Sequence, residues 1–231
     1  MHICGMEKMS LVDYDGFVSA TIFTGGCNFK CGFCHNSALV IGANSLPSIP
    51  ESQILSYLEK RKGILDAVCV SGGEPTLQKD LPLFLEKVKK LGYKIKLDTN
   101  GTAPDLVKRF FLDGLVDYFA MDIKSDKAGY SDVIGLNSYN LSNVEKSVEF
   151  FLSGTAEYEF RTTIIKEFHT EETMYKIAEW INGASKYFLQ KFKNSETVIN
   201  GALNEVELKT AKKFIEILEP SIKTVKLRGY D

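Results

Sequence analysis

Three cysteines, Cys27, Cys31 and Cys34, fall within eight residues of the stretch Gly25-Gly26-Cys27-Asn28-Phe29-Lys30-Cys31-Gly32-Phe33-Cys34-His35-Asn36. Cysteine that merely packs behaves as a small hydrophobe and has no reason to recur three times in a Gly-, Asn- and Lys-containing loop. The C-x3-C-x2-C spacing therefore points to metal ligation or thiol chemistry. Three metal readings are open. Cys31-Gly32-Phe33-Cys34-His35 matches a c-type haem motif, but haem attachment needs export and leaves Cys27 without a role. Zinc held by Cys27, Cys31, Cys34 and His35 would be a Cys3His set, yet neighbours Cys34 and His35 cannot easily reach one small ion together. An iron–sulfur cluster normally takes four thiolates. Three leave one iron open to a substrate, unless Cys4 or Cys69 fills it, and this reading suits the loop best.

The elements that must position this loop alternate between strand-like and helix-like runs. Strand patterns cover Phe17–Phe23, Ala67–Val70, Tyr93–Leu97, Tyr118–Met121, Tyr158–Ile165, Tyr187–Gln190 and Thr224–Leu227. Helical spacing of apolar residues covers Glu51–Lys62, Asp80–Leu91, Pro104–Leu112, Asn143–Leu152, Glu171–Ile181 and Glu205–Leu218. Repeated βα units imply a parallel sheet covered by helices. They are too few for a complete eight-fold barrel. The expected fold is α/β, a partial (β/α)6 TIM-like barrel with parallel strands and outer helices, forming one domain over 1–231; a doubly wound sheet is the alternative. Chemistry then belongs at the C-terminal strand ends, where the cysteine loop, Ser71-Gly72-Gly73-Glu74-Pro75 and Asp98-Thr99-Asn100-Gly101 all fall.

Composition narrows the rest. The 231 residues are 44% hydrophobic and 25% charged, an ordinary globular balance. Against 30 acidic residues stand 28 basic ones, a net charge of −2 that offers no electrostatic footprint for nucleic acid or a membrane surface. No run approaches the roughly 20 apolar residues of a membrane span, and Met1-His2-Ile3-Cys4-Gly5-Met6-Glu7-Lys8 lacks the layout of a signal peptide. A cytoplasmic location is expected, where structural disulfides are disfavoured. Cys69, inside an apolar strand, and Cys4, in a terminus expected to be mobile, read as inert. No cysteine follows Cys69, so no auxiliary cluster can form from later thiols.

The cysteine loop after the first of these strands, followed by Gly72-Gly73-Glu74-Pro75, resembles the radical S-adenosylmethionine (SAM) superfamily. Cys34-His35-Asn36, Asp98-Thr99-Asn100-Gly101 and Met121-Asp122-Ile123-Lys124 are similar to the glycyl-radical-enzyme activases. The opening Lys8-Met9-Ser10-Leu11-Val12-Asp13-Tyr14-Asp15-Gly16 resembles the activating proteins of anaerobic ribonucleoside-triphosphate reductase. So does the tail, Phe188-Leu189-Gln190-Lys191-Phe192 with Val225-Lys226-Leu227-Arg228. The family opening usually has proline where this chain has Asp15. Pyruvate formate-lyase activases carry a histidine near Phe192, and these departures favour the reductase branch. The resemblance implies that Cys27, Cys31 and Cys34 ligate one [4Fe-4S] cluster whose open iron chelates SAM. It implies a SAM-contacting set of Phe33, His35, Gly72, Gly73, Glu74, Asp98, Thr99, Asn100, Lys124 and Arg161, with no catalytic residue beyond cluster and SAM. Glu74 would accept from the SAM amino group, and Gly72 and Gly73 would let the cofactor approach the backbone. Phe33 would lie near adenine, or only shield the cluster. Reductive cleavage of SAM would then remove a hydrogen atom from a glycine of a partner, an anaerobic ribonucleotide reductase, with a one-electron donor such as flavodoxin or ferredoxin. A pyruvate formate-lyase-type activase and a small-molecule enzyme like the deazapurine synthases are the alternatives.

Overall fold

The computed structural model describes Met1–Tyr230. In chain order its elements are β1 (Ile3–Ser10), β2 (Ser19–Thr24), α1 (Ser37–Ile41), α2 (Glu51–Lys60), β3 (Ala67–Gly72), α3 (Leu81–Lys90), β4 (Lys94–Thr99), α4 (Pro104–Leu112) and β5 (Tyr118–Asp122). They continue with α5 (Tyr130–Val133), α6 (Ser142–Leu152), β6 (Tyr158–Ile164), α7 (Glu171–Trp180), β7 (Tyr187–Lys191), α8 (Leu208–Leu218) and β8 (Val225–Arg228). The eight strands lie in sequence order in one sheet. β2 with β3, β3 with β4, β6 with β7 and β7 with β8 pair in parallel. This is an α/β fold with a mostly parallel sheet and flanking helices, consistent with the expected partial TIM-like barrel.

One strand departs from that expectation. β1 pairs with β2 in antiparallel register, Ile3 opposite Thr24 and Ser10 opposite Ser19. Its sequence, ICGMEKMS, alternates poorly and carries Gly5, so local pattern does not reveal it. Pairing to β2 makes it a strand, and Cys4 is therefore held in the sheet. The helix expected from Glu205 starts at Leu208 instead, because Glu205 forms an antiparallel bridge to Ile165.

Contacts divide the chain into two compact units. The first holds Met1–Asn28, Ala38–Thr99 and Ala103–Ala120. Strand residues alternate between faces. Ala20, Ile22, Val68, Val70, Ile95 and Leu97 are fully buried on one face, and Leu81, Phe84, Leu85 and Val88 bury one side of α3. The other face carries Ser19, Thr21, Cys69, Ser71, Lys96 and Asp98, joined by hydrogen bonds and an ion pair. Asp13 continues that network at the β1–β2 connection. The second unit holds Phe29–Ser37, Asn100–Thr102 and the chain from Met121 onward. There Phe151 of α6 packs on Tyr158 and Phe160 of β6. The intervening Glu159 and Arg161 are buried in ion pairs, with Arg228 and Asp122 respectively. Charges on a buried sheet face persist only when paired in this way.

Candidate functional site

In the first unit, the end of β2 runs into Gly25, Gly26 and Cys27, and the end of β3 runs into Gly73, Glu74 and Pro75. Backbone bonds lace the two ends together, Gly73 N donating to Thr24 O (2.8 Å) and Glu74 N to Gly26 O (2.8 Å), and Gly26 N donates to Leu39 O of α1 (2.7 Å). Gln78 Nε2 donates to Gly25 O (2.8 Å). Gly72 has φ +117°, and a side chain there would overlap the Thr24 backbone. A Cβ on Gly73 would overlap the Gly26 carbonyl oxygen and lie 2.6 Å from its carbon. The space left by both glycines is thus taken by the chain's own backbone. The sequence motif identifies these glycines, and each is required here by the backbone packed against it, at Thr24 and at Gly26.

Glu74 is only 1% exposed. Its Oε1 accepts from Thr76 N (3.2 Å), Thr76 Oγ1 (2.5 Å) and Thr99 Oγ1 (2.9 Å), so it caps the 3-10 turn Pro75–Leu77 and ties β4 to it. Asp98 Oδ2 accepts from Ser71 Oγ (2.9 Å), and Oδ1 lies 3.5 Å from Lys96 Nζ. Lys96, 5% exposed, also donates to Asp13 O (2.6 Å). Sequence reasoning missed Lys96, although its place two residues before Asp98 in a strand puts both on one face. Buried Cys69 donates to Ser19 Oγ (3.8 Å). Burial, aided by the negative charge of Asp98, pushes its thiol up to about 12, which keeps it protonated and unreactive near neutrality. Cys4 Sγ sits 3.4 Å from His2 Nε2, and burial pushes its thiol up too.

The second unit holds the rest of the cysteine loop. Cys31 is buried, Cys34 is half-buried, and Cys34 N donates to Cys31 O (3.1 Å). Burial raises the Cys34 thiol, while the Lys124 ammonium works against that rise and also interacts with Cys31. Phe33, buried between them, has Lys124 Nζ 5.8 Å from its ring centre. His35 Nε2 donates to Lys193 O (2.6 Å), and its ring lies 5.5 Å from that of Phe192. Among the described residues no three His, Cys, Asp or Glu side chains gather closely enough to enclose one metal ion.

Lys124 and Arg161 converge on one carboxylate. Lys124 Nζ reaches Asp122 Oδ2 and Arg161 Nε reaches Oδ1, each at 2.9 Å. Burial alone would raise the Asp122 carboxyl, but the two cations outweigh it and hold it at about 2. Asp122 in turn keeps Lys124 protonated, raised well above the usual lysine range. His169, also missed from the sequence, buttresses this corner. Its Nδ1 accepts from Ile165 N (2.9 Å), so Nε2 carries the proton and donates to Lys124 O (3.0 Å). Burial lowers its basicity, which suits a neutral ring. Asn100 spends its side-chain oxygen on its own turn, accepting from Thr102 N (3.1 Å) and Thr102 Oγ1 (2.7 Å). That is an Asx turn, and Gly101 O accepts from Ser147 Oγ (2.7 Å) beside it.

A sequence model of the radical SAM superfamily matches residues 21–181. A candidate glycyl-radical enzyme activating enzyme of Methanocaldococcus jannaschii is 30% identical over 195 residues, covering 82% of this chain and 79% of the relative. A 7-carboxy-7-deazaguanine synthase of Thermoplasma acidophilum is 29% identical over 115 residues, 50% of this chain and 51% of that protein. Among solved structures, Streptococcus suis SuiB bound to its precursor peptide superimposes with a TM-score of 0.67 at 15% identity, over 89% of this chain and 48% of SuiB. At that identity the likeness speaks to the fold alone.

Proposed function

The chain belongs to the radical SAM superfamily, and from that premise we propose that it activates a glycyl-radical enzyme, an anaerobic ribonucleoside-triphosphate reductase. Membership makes it an oxidoreductase that uses SAM and an iron–sulfur cluster. The donor set fits such a cluster: none of Cys27, Cys31 and Cys34 is in a disulfide, and the Lys124 ammonium lies near enough to Cys31 and Cys34 to interact with both, opposing the rise that burial gives the Cys34 thiol. Together the cluster and SAM supply one-electron cleavage of a sulfonium and thereby hydrogen-atom abstraction.

In this proposal Cys27, Cys31 and Cys34 would hold the cluster as thiolates and leave a position on it for SAM. Glu74, fixed by three donors, offers a rigid acceptor for an amino group, while Asp98, Thr99 and Asn100 take the ribose or methionine portion. Lys124 and Arg161 stay charged beside Asp122, where they can answer a carboxylate. Phe33 excludes water from the loop. The reactive chemistry belongs to the cofactors, and the residues bind, orient and exclude solvent.

The observation that carries the activase reading is likeness to the archaeal relative across most of both chains. The reductase branch rests on the opening from Lys8 to Gly16 and on Phe192 in place of a histidine. A second reading, a small-molecule enzyme of the deazapurine type, has support from the resemblance to the Thermoplasma protein. Incubating reduced, reconstituted protein and SAM with each candidate separates them. A glycyl-radical doublet by electron paramagnetic resonance on the reductase supports activation. Turnover of a small molecule with no partner present would overturn it.

A further inference from the structure

β7 and α8 are joined by residues 192–207, far longer than the roughly two to six residues usual for a connection of this kind. This segment is tied at its base. Asn204 N and Nδ2 donate to the Glu167 carboxylate (3.0 and 2.7 Å), Lys166 N donates to Asn204 O (3.1 Å), and Lys191 pairs with Glu205 (3.1 Å). Asn194 Nδ2 crosses the segment to Gly201 O (2.7 Å) and Leu203 O (3.1 Å). From that frame it reaches the cysteine loop at two points. Asn200 N donates to Gly32 O (2.8 Å), between Cys31 and Cys34, and Lys193 O accepts from His35, immediately after Cys34. Packing seals the first point: a Cβ on Gly32 would stand 3.2 Å from Asn200 Cβ, closer than side chains ordinarily sit, and 3.4 Å from Leu203 Cδ1, in van der Waals contact. Leu203 and Phe192 are buried. The loop's other end is held separately, by Lys30 N donating to Ile134 O (2.9 Å).

We propose that residues 192–206 are a clamp that presets the Cys31–Cys34 half of the loop for its cluster and slows the loss of iron, with Asn200 and His35 as positioning residues. The proposal rests on the reading that Cys31 and Cys34 ligate that cluster. Two anchored hydrogen bonds, one inside the C-x2-C turn and one beside it, restrict the motion by which a thiolate would swing off its iron. Hydrogen bonds of this kind separate bound from released states by severalfold each.

The test uses anaerobically reconstituted full-length protein and follows transfer of iron to an added chelator, together with the initial iron and sulfide content. Asn200→Pro removes the N–H donor, whereas Asn200→Ala keeps it and loses only the side-chain bond to Ala202 N (3.1 Å). His35→Ala removes the donor to Lys193 O, and His35→Gln restores an N–H there. His35 is exposed, so its variants leave the core intact. Asn200→Pro and His35→Ala are expected to load normally and lose iron about fivefold faster than the parent. Asn200→Ala and His35→Gln are expected to stay near the parent rate. Parent-like rates for Asn200→Pro and His35→Ala overturn the clamp. Failure of the underlying ligand reading shows separately, as a Cys31→Ala protein that retains its full iron content.

Discussion

Replacing Gly73 by alanine asks what the glycine pair of the strand-end motif is for. The new Cβ overlaps the Gly26 carbonyl oxygen, and a backbone atom cannot rotate away as a side-chain tip can. Either the β3 end or the start of the cysteine loop must move, and the Glu74 N to Gly26 O bond is lost with it. Overpacking of this kind costs about 1–3 kcal/mol, and the hydrogen bond adds about 1 kcal/mol. The sum, about 2–4 kcal/mol, lowers the melting temperature by roughly 4–16 °C for a chain of this size. Gly201→Ala is the control, because nothing lies within 4 Å of its added Cβ and its φ is not positive. Its melting temperature should hold or rise slightly. The assay is thermal unfolding of the cofactor-free protein, followed by circular dichroism. If Gly73→Ala melts with the parent and only SAM affinity falls, then the glycine serves cofactor access, and the backbone-packing argument is refuted.

Other perturbations follow the same contacts. Asp122, held at about 2 by Arg161 and Lys124, has an ordinary carboxylate value near 3.9 when unfolded. Its depressed value contributes roughly 2 kcal/mol that is present above about pH 4 and lost as pH falls toward 2. Asp122→Asn should flatten that part of the acid-unfolding curve, and an unchanged slope would contradict the ion-pair assignment. Lys96→Met leaves Asp98 and Asp13 O without a buried ammonium and should cost about 3 kcal/mol, read as a lower urea midpoint. An unmoved midpoint would show that the pair is inconsequential. Cys31→Ala should abolish cluster binding and SAM cleavage while far-ultraviolet circular dichroism stays near that of the parent. Continued release of 5′-deoxyadenosine would exclude Cys31 as a ligand.

The helices were the most legible part of the fold, because burial of one stripe is written into residue spacing. Leu81, Phe84, Leu85 and Val88 announce α3 and are the residues it buries. β1 was not legible, since its strand character comes from its partner β2 rather than from its own alternation. The three cysteines were legible because their spacing is local. Lys96 was half legible, through its period-2 relation to Asp98. His169 was not, because its bond to the Lys124 carbonyl spans 45 residues and nothing in its neighbours signals it. Gly72 and Gly73 were legible as required glycines, but the reason for them lies across the sheet at Thr24 and Gly26. The long β7–α8 connection looks like featureless sequence until its contacts with Gly32 and His35 are known.

The central claim is hydrogen abstraction from a partner's glycine. It is tested most directly by supplying the reduced protein and SAM with a reductase whose glycines are deuterated at the α-carbon. Activation predicts one deuterium in the 5′-deoxyadenosine released and a glycyl-radical signal on the reductase. Unlabelled 5′-deoxyadenosine with no radical on the partner would contradict the account.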